Sequence, residues 1–176
     1  KEEMIILCAI FTILNFLGMK LKITKYDQEG NFGTILYPLA VLISTIVYYD
    51  NKNLYFLTLF PMFFSDPICA LIGNKINKND KTIIGSLTFL FLTFLFSLYF
   101  SKNLLFSIVF SIFLTSVEFV SKRGLDNLLI VIFSILIINV KLSPFLSAIF
   151  FAFLIAFISL IFNWLDLRAG ITTFII

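Results

Sequence analysis

Long apolar runs separated by short polar stretches dominate the chain, and their lengths predict an all-α, polytopic membrane protein. Seven of these runs are long enough, or nearly so, to cross a bilayer as helices. They cover 4–18, 33–49, 54–73, 86–100, 104–120, 128–140 and 143–162. Residues 169–176 resemble the start of an eighth run. We therefore expect one polytopic domain over 1–162, followed by 163–176 as the beginning of a further membrane segment that the chain end truncates.

Composition agrees with a membrane location. The chain is 60% hydrophobic and 13% charged, with a mean hydropathy of +1.06, whereas a soluble domain carries about a quarter charged residues. The absence of His excludes His-based triads, His metal ligands and His acid–base chemistry. The net charge of +3 does not indicate a nucleic-acid partner, because the basic residues lie in short loops. Cys8 and Cys69 lie in apolar runs, and we expect neither a disulfide nor a cysteine metal motif.

Basic residues are distributed unevenly between the two predicted faces of the membrane. The loops at 19–32, 74–85, 121–127 and 163–168 together carry nine of the 13 Lys and Arg residues. The other face carries the remaining four, which are Lys1, Lys52, Lys102 and Lys141. Cytoplasmic loops of membrane proteins are enriched in Lys and Arg. We therefore expect those four loops in the cytoplasm of a bacterial or archaeal cell, with the protein in the cell membrane.

One carboxylate, Asp66, stands inside the third apolar run, directly before Pro67. An ionisable group within a membrane span is costly unless it binds a partner, so it marks a functional-site candidate. Pro67, Ala70 and Gly73 permit a broken helix and close backbone approach at this point. A divalent cation with phosphate oxygens would stabilise the carboxylate. The structural alternative for Asp66 is an interhelical salt bridge to a lysine.

A basic loop comes after this segment and contains Lys75, Lys78 and Lys81. Such lysines commonly serve only as cytosolic charge, but their place directly after the Asp66 segment makes them candidates for phosphate contact. Thr82, Gly85 and Ser86 then open the next run, where the N–H groups of a helix N-terminus can meet an anion. No Gly-rich loop ends in Gly–Lys–Ser/Thr, so the sequence contains no P-loop.

A second carboxylate, Glu118, stands near the end of the fifth run. Glu118 and Lys122 are four residues apart, a favourable spacing for a helical ion pair. Asp126 and Asn127 can cap the next helix, or they can ligate a metal or orient a hydroxyl. The predicted topology gathers these groups with Asp66 at the cytoplasmic boundary. Carboxylates and lysines at that boundary suit a water-soluble anionic ligand that meets a lipid-soluble one.

Four short segments resemble, in order and spacing, the CTP-dependent polyprenol kinases, the dolichol kinase and phytol kinase group. Residues 65–73 resemble that family's Gly–Asp–x–x–Ala–x–x–x–Gly segment, and 81–87 its Lys–Ser/Thr–x–Glu–Gly–Ser segment. Residues 118–127 resemble Glu–x–x–x–Ser–x–x–Gly–x–Asp–Asn, closest to the phytol kinase branch, with one residue fewer between the Glu and the Ser. Residues 33–39 resemble Gly–Thr–x–x–Tyr/Phe–Pro–Leu. The likeness covers 30–140, and four ordered segments are much more specific than any single one.

The resemblance implies transfer of the γ-phosphoryl group of CTP to a long-chain isoprenoid alcohol, with Mg²⁺ as cofactor. It implies catalytic roles for Asp66, Glu118 and Asp126, and Mg²⁺ ligation by Asp66, Asp126 and Asn127. The residues expected to bind the nucleotide are Lys75, Lys81, Gly85, Ser86, Lys122 and Arg123. The chain departs from the family pattern at Ser65, where Gly is usual, and at Ile84, where Glu is usual. The second change removes a carboxylate that can hold a metal or a lysine.

Two other interpretations stay open. A phosphatidate cytidylyltransferase-like enzyme also uses CTP and has a Gly–Asp-type segment, but its signature contains a His–Gly–Gly step and this chain has no His. A small transporter or a non-catalytic relative is the non-enzyme alternative. A transporter is expected to show inverted repeats and charged groups near the middle of the bilayer. This chain shows no repeat, and its charged groups gather at one boundary.

Overall fold

The computed structural model describes residues 1–21, 32–77, 81–121 and 124–139, and within them every regular element is helical. The helices are α1 (Glu2–Lys20), α2 (Gly33–Tyr48), α3 (Lys52–Phe60), α4 (Asp66–Gly73), α5 (Ile83–Ser101), α6 (Leu104–Val120) and α7 (Leu125–Asn139). A π-helical segment, Pro61–Ser65, joins α3 to α4 without a break. These residues belong to one compact unit, Lys1–Lys141.

The first six predicted apolar runs all fold as helices, which confirms the all-α expectation for this part of the chain. Three helices are long and apolar enough to cross a membrane: α1, the joined α3–α4 helix and α5. The shorter apolar helices α2, α6 and α7 have 16, 17 and 15 residues. The seventh predicted run, 143–162, and the predicted segment 163–176 lie outside the described residues. The number of about seven spans therefore stays a prediction.

Two asparagines fix the tight turns at one end of the bundle. The Asn51 side chain accepts a hydrogen bond from the main-chain N–H of Leu54 and caps α3. The Asn103 side chain accepts from the N–H of Phe106 and caps α6. Between α5 and α6, Lys102 adopts a left-handed conformation with φ of 53°, which reverses the chain in two residues. These turns make α2 antiparallel to α3 and α5 antiparallel to α6, so the helix ends that flank the longer loops lie at the opposite end.

Hydroxyl groups, rather than charges, provide most of the buried polar contacts between helices. The Ser44 and Thr58 hydroxyls lie 2.6 Å apart and join α2 to α3. The Ser97 hydroxyl donates to the carbonyl of Phe94 and, at 3.5 Å, to that of Ser107 on α6. Small hydroxyl residues let helix backbones approach closely in an apolar environment where unpaired polar groups are costly. This packing is consistent with helices that share a membrane interior.

A cluster of aromatic rings holds the α3–α4 helix against α5. The Phe60 ring lies 4.4 Å from that of Phe96, 5.4 Å from that of Phe100 and 4.8 Å from that of Phe64, measured between ring centroids. Such ring pairs add attraction beyond the area they bury. These contacts fix the rotation of the helix that carries Asp66.

Candidate functional site

A cavity of about 270 Å³ opens at the end of the bundle where the longer loops gather. Helix α4, the start of α5, the end of α6 and the start of α7 all contribute to its lining. The side chains with functional chemistry in that lining are Asp66, Cys69, Lys81, Ser86, Glu118 and Asp126. The structure thus brings together groups from three separate stretches of sequence in one cavity.

A local irregularity in the helix sets the position of Asp66. The main-chain N–H of Asp66 donates to the carbonyl of Pro61, five residues earlier, instead of four. Pro67 has no N–H to donate, so the regular helical pattern is interrupted on both sides of the carboxylate. A single π-turn adds one residue to the helix and rotates the turns after it, and such π-turns are frequent at functional sites. Here the rotation directs the first turn of α4 towards the cavity.

Lys81 is the centre of the charged cluster. Its ammonium lies 2.7 Å from Glu118 Oε1 and 3.2 Å from Asp126 Oδ2. It also donates to the main-chain carbonyl of Glu118. The salt bridge considered for Asp66 does not form among the described residues, because Lys81 pairs with the other two carboxylates. The ion pair considered for Glu118 with Lys122 involves a residue outside the described ranges, and Glu118 is joined to Lys81 instead.

Electrostatics keep the Lys81 ammonium charged. Burial by itself would lower the pKa of Lys81, but the neighbouring carboxylates of Glu118 and Asp126 outweigh burial and raise that pKa above its ordinary value. The lysine therefore carries its full positive charge throughout the physiological pH range. A permanent cation in a cavity of this kind is suited to hold either carboxylates or phosphate oxygens.

Glu118 is the most deeply buried member of the cluster, with 2% of its surface exposed. Its Oε1 contacts Lys81, while its Oε2 has no hydrogen-bond partner within the described part of the chain. One ligand atom from each of Asp66, Cys69 and Glu118 lies within 4.8 Å of the others. A buried carboxylate oxygen without a partner is costly in a folded protein and therefore indicates an additional ligand.

The donor atoms of this group fit a divalent cation. Two carboxylates at one site, completed by water and phosphate oxygens, are a usual environment for Mg²⁺. Asp66 and Glu118 provide these two carboxylates. The Cys69 thiol is a soft ligand that hard cations such as Mg²⁺ do not favour, so we assign it to the cavity wall. The Asp126 carboxylate differs, because it contacts Lys81 and also accepts from the N–H of Asn127 at 3.1 Å.

Glycines allow α4 and α5 to approach each other beside these groups. A Cβ atom on Gly85 would lie 3.2 Å from the Cys69 carbonyl and 3.1 Å from Thr82 Oγ1. A Cβ atom on Gly73 would lie 3.0 Å from the same hydroxyl. The Thr82 hydroxyl accepts from the N–H of Gly85 and caps α5. The N-terminus of α5 therefore lies at the cavity wall, as expected from its run of small residues.

The predicted site residues fall into three groups in the structure. Those that line the cavity are Asp66, Lys81, Gly85, Ser86, Glu118 and Asp126. Lys75 is an exposed residue of the turn after α4 and is not part of the lining, and neither is Asn127. Lys122 and Arg123 lie outside the described residues. Of the predicted site residues that the structure describes, all except Lys75 and Asn127 therefore line the cavity.

Sequence reasoning did not identify Cys69 as a cavity residue. The signal was present, because positions three apart on a helix share a face and Cys69 comes three residues after Asp66. The departure at Ile84 also takes on a different meaning in the structure. Ile84 is 52% exposed and is not part of the lining of the cavity. Ser65, the other departure, is fully buried.

A second, larger groove of about 520 Å³ lies between α1 and α2. Its lining is mainly apolar and includes Leu7, Phe11, Val41 and Tyr37. The Tyr37 ring packs against Phe63, with 5.4 Å between centroids, and its hydroxyl is within electrostatic range of Asp66. Tyr37 therefore lines the apolar groove, and it is not part of the lining of the charged cavity.

Comparisons with known proteins add no family assignment to this geometry. No protein-family model, curated protein or solved structure matches the chain. The chemistry open to the site is therefore set by its own groups: two clustered carboxylates, a permanently charged lysine held by a third, and a helix N-terminus, all at the end of an apolar helical bundle.

Proposed function

We propose that the protein is a membrane-embedded lipid kinase that transfers the γ-phosphoryl group of CTP to a long-chain isoprenoid alcohol. In this proposal the three shorter helices and the predicted run 143–162 also cross the bilayer, giving about seven spans, and the charged cavity faces the cytoplasm. The choice of CTP and of an isoprenoid acceptor rests on the resemblance to polyprenol kinases. The choice of phosphoryl transfer rests on the chemistry of the cavity as well.

The observation that supports this function is the convergence of the kinase-like segments. The segments 65–73, 81–87 and 118–127 are separated along the sequence, yet each contributes side chains to one cavity. The fourth segment, 33–39, contributes Tyr37, which lies within electrostatic range of Asp66. A chance likeness of short motifs does not explain why their side chains line one cavity. A ligand that all three segments bind would explain it.

The cavity has the parts that phosphoryl transfer requires. This reaction depends on positioning and charge neutralisation more than on covalent chemistry by the protein. Lys81 and the N–H groups at the start of α5, near Ser86, would hold the phosphates. Asp66 and Glu118 would hold Mg²⁺, which when bound neutralises charge on the transferring phosphoryl group. The Ser86 hydroxyl, which is buried and has no partner within the described ranges, is available to a phosphate oxygen.

The proposed step can be written with its atoms in balance. The hydroxyl oxygen of the alcohol bonds to the γ-phosphorus, and the bond from that phosphorus to the oxygen bridging it to the β-phosphate breaks. CDP leaves and a lipid monophosphate forms. The hydroxyl proton passes to a carboxylate. Asp126 suits this role because it lines the cavity and is 16% exposed, so it can orient a hydroxyl and release the proton to solvent.

The groove between α1 and α2 is the proposed path for the tail of the alcohol. An isoprenoid chain is apolar and reaches the enzyme through the bilayer. The groove offers a mainly apolar lining, to which Tyr37 contributes. The tail would lie in the groove while its hydroxyl extends past Tyr37 to the cavity.

Transfer of label from γ-labelled CTP to a panel of isoprenoid alcohols, in detergent with Mg²⁺, tests this function. We expect a labelled lipid product with the wild type and none with Asp66→Asn. Asp50→Asn is the matched control, since Asp50 is exposed at the opposite end of the bundle and contacts only Lys1 among the described residues. A product that persists in Asp66→Asn would contradict the proposal. Transfer of a cytidylyl group to phosphatidate would favour the cytidylyltransferase alternative instead.

A further inference from the structure

Lys81 and the proposed cation depend on the same carboxylate. The Lys81 ammonium contacts three oxygens, namely Glu118 Oε1, Asp126 Oδ2 and the main-chain carbonyl of Glu118. An ammonium has three hydrogens to donate, so these contacts use its full capacity. Glu118 therefore has one oxygen engaged by a permanent positive charge.

The other oxygen of Glu118 is the one available to a cation. Glu118 Oε2 is buried and has no hydrogen-bond partner in the described ranges. Glu118 also belongs to the group in which ligand atoms of Asp66 and Cys69 lie within 4.8 Å of one another and of its own. A cation bound by Asp66 and Glu118 would thus share one carboxylate with the Lys81 ammonium. Two positive charges on one buried carboxylate repel each other, because little water is present to screen them.

We propose that Lys81 opposes divalent-cation binding at Asp66 and Glu118, and that a nucleotide phosphate removes this opposition. A phosphate that accepts hydrogen bonds from Lys81 places negative charge between the ammonium and the cation, and it competes with Glu118 for the ammonium. The cation therefore binds weakly alone and tightly together with the nucleotide. The second half of this inference rests on the proposed function, because it takes a nucleotide as the anion.

The coupling has a functional use. By thermodynamic linkage, a nucleotide that strengthens cation binding is itself bound more strongly by the cation-loaded protein. The complete set of nucleotide and cation would then assemble together, and neither would remain alone on the carboxylates. Lys81 would act as a positioning residue that makes the site respond to both ligands.

Mn²⁺ binding to the purified full chain, followed by the electron paramagnetic resonance signal of free Mn²⁺, tests the first half. We expect Lys81→Met to bind Mn²⁺ about tenfold more tightly than the wild type in the absence of nucleotide, within the usual range of coupling between sites. Lys81→Arg retains the charge and should bind as weakly as the wild type. Cys69→Ser should leave Mn²⁺ affinity unchanged, and Asp66→Asn should abolish binding.

A second neutral variant guards against misfolding. Lys81→Gln removes the charge but retains an N–H donor for the carboxylates, so it should fold where Lys81→Met does not and should show the same gain in affinity. Equal Mn²⁺ affinities of the wild type and a folded neutral variant would overturn the inference, and so would tight binding by Lys81→Arg.

A non-hydrolysable CTP analogue tests the second half. We expect it to strengthen Mn²⁺ binding to the wild type about tenfold and to have little effect on Lys81→Gln. Binding that depends on Asp66 distinguishes protein-bound Mn²⁺ from Mn²⁺ held by the analogue alone. If the neutral variants bind Mn²⁺ tightly but the analogue has no effect on the wild type, competition by Lys81 is supported. The same result would contradict both nucleotide coupling and the nucleotide part of the proposed function.

Discussion

The two ends of the helical bundle are both polar, but they use polar groups in opposite ways. At the end with tight turns, Asn51 and Asn103 cap helices, and the hydroxyls of Ser101 and Ser107 lie 3.1 Å apart. Each of these neutral groups has a partner close by in the sequence. The ion pair at this end, Lys1 with Asp50, is exposed, and only neutral side chains line the cavity there, so we call it the neutral end. At the end with the longer loops, charged groups from distant stretches meet, and Glu118 Oε2 lacks a partner among the described residues.

Cavity size does not distinguish the two ends. The neutral end has a cavity of about 430 Å³, larger than the 270 Å³ of the charged one. The two ends differ in the free energy that their arrangement of polar groups costs when no ligand is bound. Neutral caps satisfy helix ends and need nothing further. A buried carboxylate beside two others is costly unless something positive joins them. Incomplete charge pairing, and not volume, is therefore what makes the charged end the candidate functional site.

The largest expected effect is a loss of phosphoryl-transfer activity that occurs for a substitution at the charged end and not for one at the neutral end. Glu118→Gln keeps the shape of the side chain but removes the charge that would hold the cation, so we expect transfer to fall by about 10²–10³-fold, as for the loss of one transition-state stabiliser. Ser107→Ala at the neutral end should retain wild-type activity. Initial rates at saturating CTP measure both. Comparable losses of activity in the two variants would contradict the proposal that only the charged end takes part in transfer.

The next effect tests close packing at the charged end. Gly85→Ala places a methyl group 3.2 Å from the Cys69 carbonyl, so α4 and α5 must separate, and we expect a loss of about 1–3 kcal/mol in the free energy of unfolding. Gly18→Ala is the matched control. A Cβ there meets nothing within 4 Å, so the variant should gain about 0.5–1 kcal/mol from helix propensity. Unfolding in mixed micelles compares them, and a neutral Gly85→Ala would show that the approach of α4 to α5 is not required.

A smaller effect concerns the apolar groove beside the charged end. Val41→Trp fills part of the groove between α1 and α2, so we expect the KM for the alcohol to rise about tenfold, equivalent to about 1.4 kcal/mol. The KM for CTP should not change, because Val41 does not line the charged cavity. Steady-state kinetics with each substrate varied in turn provide the test. An equal rise in both constants would point to general damage instead of a tail path.

The smallest effect is expected at the neutral end. Asn103→Ala removes the cap of α6, which should cost about 1 kcal/mol of unfolding free energy. Asn103→Asp retains an accepting oxygen and should recover most of that loss. Activity per folded molecule should match the wild type in both variants. A specific loss of activity in Asn103→Ala would mean that the neutral end contributes to function as well as to structure.

The sequence by itself determined the helices, the turns and the position of Asp66, the carboxylate within an apolar run. Apolar runs longer than 12 residues fold as helices in an apolar environment because no other arrangement satisfies their backbone. The Asn51 and Asn103 side chains cap main-chain N–H groups three residues further along, so these caps can be recognised from the local sequence. Asp66 stands out because charge is rare within such runs.

Only the tertiary structure decided which charges meet. Spacing along the helix favours a pair between Glu118 and Lys122, which stays a prediction because Lys122 lies outside the described residues. Glu118 contacts Lys81, 37 residues away, and no local spacing indicates that pair. The reason is that the packing of α4, α5, α6 and α7 fixes the distances between their ends, and no local pattern encodes those distances. The same holds for Ile84, whose significance depends on which side of α5 faces the cavity. Local patterns therefore determined the elements and the unusual residues, while packing determined their partners.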